Sequence, residues 1–571
     1  MSHEPQGSFR ARMVLAVTVM MVTAGLLAAR AFEVQVLQHD FLKRQGEARF
    51  LRTVEIPAGR GMVMDRNNRP LAISAPVESV WAHPGEVLAG EADLGELAQL
   101  LGLDPVELQQ RLIQRQNREF VYLRRHVSPR VAETVRALDI DGVSLMREYR
   151  RFYPGGEAVA HIVGRTNIDD IGQEGIELAY QDWLQGHPGR KRVLRDRHGR
   201  VVRDIDLLRE ARPGRDLRLS IDERLQYLAY RELKSAVQQL GAASGSVVML
   251  DVDTGEVLAM VNQPSYNPNH RGAPPPGAGR NRAVTDVIEP GSVIKPFVVA
   301  LALESGTYRP ETQIETAPGV MQVAELTVRD VSNYGTLDVT GVLKKSSNIG
   351  VSKMALELGG EALYEGLRRF GFGEVTGSAF PGESPGVLRH YQRWAEVRMA
   401  TVSYGYGLSV TPLQLAQAYS VIASGGLLRA PTFLAGADSP ARRVMSQEIA
   451  SQLATMLEAA VSPEGTGHRA TFNHYRVAGK TGTARLVGDS GYSDRYLATF
   501  AGFAPASNPQ VVMVVTIYDP AGDYYYGGQV AAPVFRAIAE DAVRILNLPP
   551  DQSVPSEGLW NAPAVVMEGR R

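Results

Sequence analysis

Glu289-Pro290-Gly291-Ser292-Val293-Ile294-Lys295-Pro296-Phe297 is the stretch around which the rest of the chain can be read. A hydroxyl and an amine three residues apart share a face only where the backbone turns helically, because positions i and i+3 are neighbours there. Pro290 and Gly291 mark the break before such a helix. The residues from Phe297 to Ala302 are apolar, as in a helix sunk in a core with its N-terminus opening on a cleft. A serine at that end sees the positive pole of the helix dipole. Serine is a weak nucleophile until a neighbour takes its proton, and a lysine can do so only if burial or nearby cations lower its pKa. Ser292 and Lys295 are therefore a candidate nucleophile and base. Taken alone, the pair reads first as a helix cap and a solvated lysine, because Ser and Lys are common and chance supplies several such pairs in a chain this long.

Two later stretches decide between these readings. Ser346-Ser347-Asn348 and Lys480-Thr481-Gly482-Thr483 follow in chain order. With Ser292-x-x-Lys295 they match the three-part signature of penicillin-binding proteins and serine β-lactamases. The chain resembles the class B penicillin-binding proteins over roughly residues 50–540, and the Tyr404–Ala416 stretch resembles their cell-division branch. The resemblance implies an α/β transpeptidase domain of the serine β-lactamase type, with an antiparallel sheet flanked by helices. Before it the resemblance implies an elongated α+β pedestal domain and one N-terminal transmembrane helix.

Composition bounds the reading from the other side. At 571 residues two or three domains are expected, and the net charge of −1 gives no reason to expect a nucleic-acid partner. The chain has no cysteine, which excludes disulfides, thiolate nucleophiles and cysteine-ligated zinc. Its 11 histidines are scattered without metal-ligand spacing, so neither a metal nor a cofactor is expected.

Residues 1–12 are polar and carry Arg10 and Arg12, as a cytoplasmic tail would. Met13 to Ala29 then run without a charge, and residues 13–31 read as a short membrane anchor with the bulk of the chain outside. A cleaved signal peptide competes, since Ala29-Arg30-Ala31 loosely fits a cleavage site; the arginine just before the cut disfavours it. Phe32 to about Arg52 reads as a helix continuing outward.

Residues 32–214 form the expected pedestal. Arg60-Gly61-Met62-Val63-Met64-Asp65-Arg66-Asn67-Asn68-Arg69-Pro70-Leu71-Ala72 reads as a strand running into an Asn-rich turn. It resembles the first box of the class B pedestal, where Gly usually stands at the place of Asn68; Asn also tolerates a left-handed turn. Residues 85–150 read as short helices. Arg151-Phe152-Tyr153-Pro154-Gly155-Gly156, Gly172–Glu177 and Asp196–Gly199 follow in the order of the remaining boxes. Glu174 and Glu177 invite an acid–base reading, but Arg60, Arg66 and Arg151 offer ion-pair partners and no nucleophile lies in this half.

The character changes near Ala211–Gly214, and residues 215–548 form the expected transpeptidase domain. Gly245 to Asn262 alternate around Asp253-Thr254-Gly255, a hairpin signal. Pro264 to Gly279 is a loop over the site or a linker. A helix is expected to end at Ser346–Asn348, and another to cover residues 356–370. Gly405 and Gly407 lack the third glycine of a nucleotide loop, because Val410 stands there; Thr411-Pro412 reads as a helix cap and first turn. Ala478-Gly479-Lys480-Thr481 is not a phosphate loop, since His474 replaces its first glycine. Leu497–Phe503 and Val511–Tyr518 read as strands, with Lys480–Thr483 on an edge strand able to pair with an extended peptide. Tyr524–Gly528 reads as a turn, Pro533 as the start of the last helix, and residues 549–571 as a disordered tail.

For the site, the resemblance implies a serine D,D-transpeptidase acting on the D-Ala-D-Ala end of peptidoglycan stem peptides and trapped by β-lactam antibiotics. Ser292 would form the acyl-enzyme, Lys295 take its proton, Ser346 relay a proton to the leaving amine, and Asn348 donate to the donor peptide. Lys480 would supply charge and, with Thr481 or Thr483 of Lys480-Thr481-Gly482-Thr483, hold the terminal carboxylate. The backbone N–H groups of Ser292 and Thr483 would form the oxyanion hole. Arg60, Gly61, Asp65, Arg66, Arg151 and Glu177 would be structural in the pedestal. Glycosyltransferase residues are missing, so a membrane glycosyltransferase of the FtsW type and other division proteins are the implied partners at the inner membrane. Competing readings are an elongation transpeptidase, a β-lactamase or D,D-carboxypeptidase, and a catalytically idle division scaffold.

Overall fold

In the computed structural model, residues 6–42, 51–90, 93–195, 201–270, 272–488 and 491–552 are described. They pack as two units. The first is Met1–Gly59, Ala75–Arg150 and Gly186–Gly214; the second is Arg60–Ser74, Arg151–Gln185 and Arg215–Arg571.

The first unit begins with the helix Gln6–Phe32. Together with the π-turn Glu33–Leu37 it presents one exposed apolar stretch, Phe9–Leu37, long enough to cross a membrane. The hydroxyls of Thr18 and Thr23 donate to the carbonyls of Val14 and Val19 at 2.8 and 2.7 Å, so neither needs water. The expected continuation to Arg52 ends sooner, since Leu51–Ile56 is a strand, and residues 43–50 lie outside the described residues. That strand pairs antiparallel with Gly189–Arg195, which pairs with Val201–Arg209.

Residues 85–150 are not all helical. The helices Leu94–Leu101, Pro105–Gln114 and Pro129–Leu138 form as read, each started by a side chain that accepts a backbone N–H, from Asp93, Asp104 and Ser128. Strands Val121–Val127 and Val143–Phe152 intervene. Their arginines hid them. Arg125 pairs with Glu148 at 2.6 Å, and that carboxylate also takes the Tyr122 and Ser79 hydroxyls, so charges inside the strands are used across the sheet.

The second unit holds a five-stranded antiparallel sheet in the order Val257–Gln263, Ser244–Asp251, Val511–Tyr518, Gly491–Ala504, Ala478–Gly488. Successive side chains in a strand face opposite ways. Val247, Met249 and Val515 accordingly join Leu225 and Leu233 of the helix Glu223–Gln239 and Phe535 and Ile538 of the helix Gly527–Ile545 in one core. Val248, Leu250 and Val514 face a second core with Leu413 and Leu415 of Pro412–Ala423 and Phe297 of Lys295–Glu304. Helices on both faces explain why Val511–Tyr518 reads as a continuous apolar run, and why the alternation expected over Gly245–Asn262 gives no exposed face, Ser244–Asp251 and Val257–Gln263 being buried on both sides.

The 253–255 hairpin, the Thr411 cap and the edge position of Lys480 are as read from sequence; Thr411 and Gln414 form a reciprocal capping box. The last helix starts six residues before Pro533, at Gly527, and Gly527-Gly528 is its first turn rather than a separate turn. A β-carbon at Gly527 would sit 2.3 Å from the Gly482 carbonyl oxygen, so the glycine marks close packing. The helix expected over 356–370 is the end of a longer one, Asn348–Arg369, broken in conformation at Gly359. The tail beyond Gln552 lies outside the described residues.

Three pedestal boxes, Arg60–Ala72, Arg151–Gly156 and Gly172–Glu177, also lie in this unit, and the fourth, Asp196–Gly199, lies outside the described residues. The buried Glu177 carboxylate accepts from Arg60 Nε at 2.6 Å and Arg151 Nε at 2.7 Å. Arg66 does not join them; it pairs with Glu256 at 3.1 Å. Glu174 pairs with Arg165 and accepts from the Tyr266 hydroxyl. Asp65 Oδ1 accepts the N–H groups of Asn67 and Arg69, holding the turn in which Asn68 adopts φ 63°. At Gly61 a β-carbon would fall 1.9 Å from the Arg215 carbonyl oxygen, so no side chain fits.

Candidate active site

Gly291–Ile294 make a 3-10 turn that runs into the helix Lys295–Glu304. Gly291 has φ 58°, a conformation that costs glycine little. A β-carbon at Gly405 would lie 2.1 Å from the Gly291 carbonyl oxygen, and one at Gly482 would lie 2.8 Å from that of Pro290. A loop and the edge strand Ala478–Gly488 therefore close on the turn only because they lack side chains there. The Tyr419 hydroxyl donates to the Val293 carbonyl at 2.9 Å and fixes the turn from the core. Ser292 is half-buried; Lys295 is fully buried.

The helix Val339–Lys345 ends on Ser346 in the left-handed region, φ 58° and ψ 43°, with the Ser347 N–H donating back to Val342. For a residue with a side chain this costs about 1–3 kcal/mol. It brings both Ser346 oxygens to Lys295. Lys295 Nζ lies 2.6 Å from the Ser346 carbonyl oxygen, 2.7 Å from Asn348 Oδ1 and 3.2 Å from Ser346 Oγ. Asn348 Nδ2 donates to the Arg329 carbonyl at 2.9 Å, which orients its amide. From the other side Lys480 Nζ donates to Ser346 Oγ at 2.9 Å.

This inventory sets the charges. The two closest acceptors of Lys295, a carbonyl and an amide oxygen, can only accept. A neutral amine satisfies both with its two N–H groups and keeps a lone pair for a hydroxyl proton. Burial, then the charge of Lys480, push Lys295 well below the usual lysine range, against the opposing pull of Asp330. Burial also lowers Lys480, to about 7. Lys480 is thus the better holder of the positive charge.

The structure brings Lys295, Ser346, Asn348 and Lys480 together as read from sequence, with one difference. Among the described residues the Ser292 hydroxyl has no hydrogen bond, and the amine expected to meet it reaches instead across to the three oxygens of Ser346 and Asn348. Two oxygens that can only accept outweigh one hydroxyl. On the edge strand Lys480 faces Ser346, and Thr481 and Thr483 point the other way: Thr481 to the Thr466 hydroxyl at 2.8 Å, and Thr483 accepting the Gly527 N–H at 3.0 Å.

Asp330 escaped the sequence reading. Its Oδ1 accepts the N–H of Asn348 and Ile349 at 2.5 and 3.1 Å, and its Oδ2 accepts from the Ser347 hydroxyl at 2.5 Å, so one carboxylate seats the whole Ser346–Asn348 turn. It stands 18 residues before Asn348, beyond any local capping pattern. Glu289, which accepts from the Gly407 N–H at 2.7 Å and from the Tyr492 hydroxyl, was likewise quoted in the motif without a role. Among the described residues no cluster of His, Asp and Glu has the make-up of a metal site.

Comparison with known proteins places this geometry. The model of the penicillin-binding protein transpeptidase domain matches residues 245–540, and that of the penicillin-binding protein dimerisation domain matches residues 55–219. The peptidoglycan D,D-transpeptidase FtsI of Escherichia coli K12 is 44% identical over 548 residues, covering 95% of this chain and 92% of the relative. The transpeptidase domain of penicillin-binding protein 3 from Burkholderia pseudomallei, solved without ligand, is 42% identical with a TM-score of 0.54, covering 59% of this chain and 98% of that one. Penicillin-binding protein 3 of Mycobacterium tuberculosis in complex with aztreonam is 29% identical with a TM-score of 0.68, covering 87% of this chain and 98% of its own. With three motifs converging on one serine hydroxyl and identity sustained along both matched regions, the chain belongs to the class B penicillin-binding proteins of the FtsI type.

Proposed function

We propose that this chain is a serine D,D-transpeptidase that cross-links peptidoglycan stem peptides during septal wall synthesis, and that β-lactams acylate it. The observation that carries the reading is a fully buried lysine, held by Ser346 and Asn348, that shares the Ser346 hydroxyl with a second buried lysine. Ser292 Oγ attacks the carbonyl between the two D-alanines and its proton passes to Lys295. The tetrahedral intermediate collapses, the C–N bond breaks, and the terminal D-alanine leaves as an amine protonated through Ser346. An acceptor amine then attacks the ester, and Ser292 regains its proton. Splitting one acyl transfer in two lowers each barrier. N–H groups of Ser292 and Thr483 stabilise the oxyanion, each contributing about 10²–10³ in rate. Lys480 supplies the charge and, with Thr481 or Thr483, holds the donor carboxylate, and Asn348 its amide.

The remaining assignments rest on the same reading. Residues 13–31 anchor the chain in the inner membrane by a single pass, 32–214 are the pedestal and 215–548 the transpeptidase domain. An FtsW-type glycosyltransferase supplies the glycan strands. Fluorescent penicillin labels the wild-type chain and leaves Ser292→Ala dark; a labelled Ser292→Ala protein overturns the assignment.

A further inference from the structure

The strand Ala478–Gly488 is the open edge of its sheet, and along a strand the main-chain N–H and C=O of one residue point to one edge while those of the next point to the other. Two bonds show which residues face outward. The Thr481 carbonyl accepts from Lys480 Nζ at 3.2 Å, and the Arg485 N–H donates to the Tyr406 hydroxyl oxygen at 3.2 Å. Neither group is spent on the neighbouring strand Gly491–Ala504, and the pairing runs without a bulge from Ala478 to Arg485, so Thr481, Thr483 and Arg485 all turn their main chain to the open edge. Between the two filled positions, the N–H and C=O of Thr483 have no partner outside the sheet among the described residues. The open stretch is one residue wide. Tyr406 is held where it closes that stretch: its ring meets Tyr404 and Tyr492 edge to face at 5.9 and 5.3 Å, and the Tyr492 hydroxyl and the Gly407 N–H both donate to the Glu289 carboxylate, at 3.0 and 2.7 Å.

We propose that Tyr406 is a specificity-determining residue that closes the donor site behind the scissile residue, its hydroxyl standing where a peptide carbonyl would otherwise pair with the Arg485 N–H. In an antiparallel pair, residues that exchange both bonds recur at every second position. A D-alanine paired with Thr483, its carbonyl in the oxyanion hole and its N–H on the Thr483 carbonyl, therefore sets the residue two before it against Arg485. Tyr406 fills that place. Strand pairing thus reads the main chain of one donor residue and stops, so the sequence and linkage of the stem peptide farther back are not read through this edge.

This rests on the transpeptidase reading, and the test keeps the two apart. Two thioester donors are compared by thiol release: acetyl-L-alanyl-D-alanyl-thioglycolate, whose acetyl carbonyl falls opposite Arg485, and pentanoyl-D-alanyl-thioglycolate, which has the same length without that carbonyl. Turnover that survives Ser292→Ala, or none in the wild type, overturns the transpeptidase reading and the closed edge with it; the edge alone is judged from the ratio of kcat/KM between the donors. Wild type and Tyr406→Phe use the two donors equally, because the ring fills the place in both. Tyr406→Ala prefers the acetyl-L-alanyl donor about fivefold, the scale of one neutral hydrogen bond. The wild-type comparison needs no variant to fold: a wild type that already prefers the acetyl-L-alanyl donor by that margin overturns the closed edge. So does a Tyr406→Ala protein that melts with the wild type, labels with penicillin and shows no preference.

Discussion

Two fully buried amines share the Ser346 hydroxyl, and the chemistry requires that they carry different charges. A lysine whose pKa is lowered is active when it has lost its proton, so the acid limb of the acylation profile reports Lys295. Lys480 must keep its proton, so the alkaline limb reports Lys480, starting from about 7 before a bound carboxylate raises it. Lys480→Gln removes a repelling charge from Lys295 and lets its pKa rise. The expected outcome is an acid limb displaced to higher pH, loss of the alkaline limb, and acylation slower by about 10- to 100-fold. Acylation rate against pH checks it; an acid limb that stays in place refutes the coupling. The motif spacing made Ser292, Lys295, Ser346, Asn348 and Lys480 legible without coordinates. The charge assignment was not, because it depends on counting acceptors around Lys295 that lie 51 and 53 residues away.

The turn Ser346–Asn348 joins two helices, and Asp330 is what seats it. Asp330→Asn keeps one oxygen for the helix N–H groups but loses the acceptor of the Ser347 hydroxyl and the negative charge. Stability should fall by about 1 kcal/mol, the scale of an N-cap. The charge that held protons on Lys295 is also gone, so the acid limb should move to lower pH, opposite to Lys480→Gln. Urea unfolding and the acylation profile check the two parts. At this level the sequence was readable where a signal is local. The Thr411-Pro412 cap, the 253–255 hairpin and the paired strands 497–503 and 511–518 stand as read. It failed where packing overrides a local sign, as at Pro533, tolerated inside a helix whose start is set by the approach of Gly527 to Gly482, and in the arginine-bearing strands of 121–152.

Along the whole chain, segments far apart in sequence are pinned by buried charge. Glu177 lies 117 residues from Arg60 and holds both it and Arg151, all three almost without exposure. Glu177→Gln leaves two guanidinium groups buried around a neutral amide. The expected cost is about 3–5 kcal/mol, seen as a lowered urea midpoint; a midpoint near wild type would show that water reaches the cluster. Sequence gave the residue types of this cluster and not its membership, since Arg66 looks as suitable as Arg151 until Glu256 is found beside it.

The strand that carries Lys480 is paired on one side only, as the last member of its sheet. A row of unmatched amide groups welcomes any extended backbone, including that of a neighbouring molecule. Farther along the same hairpin Arg485, Asp494 and Arg495 put charge of both signs at the surface. Such a fringe discourages strand-to-strand stacking between copies, so that the open edge stays reserved for short peptides slender enough to lie in it.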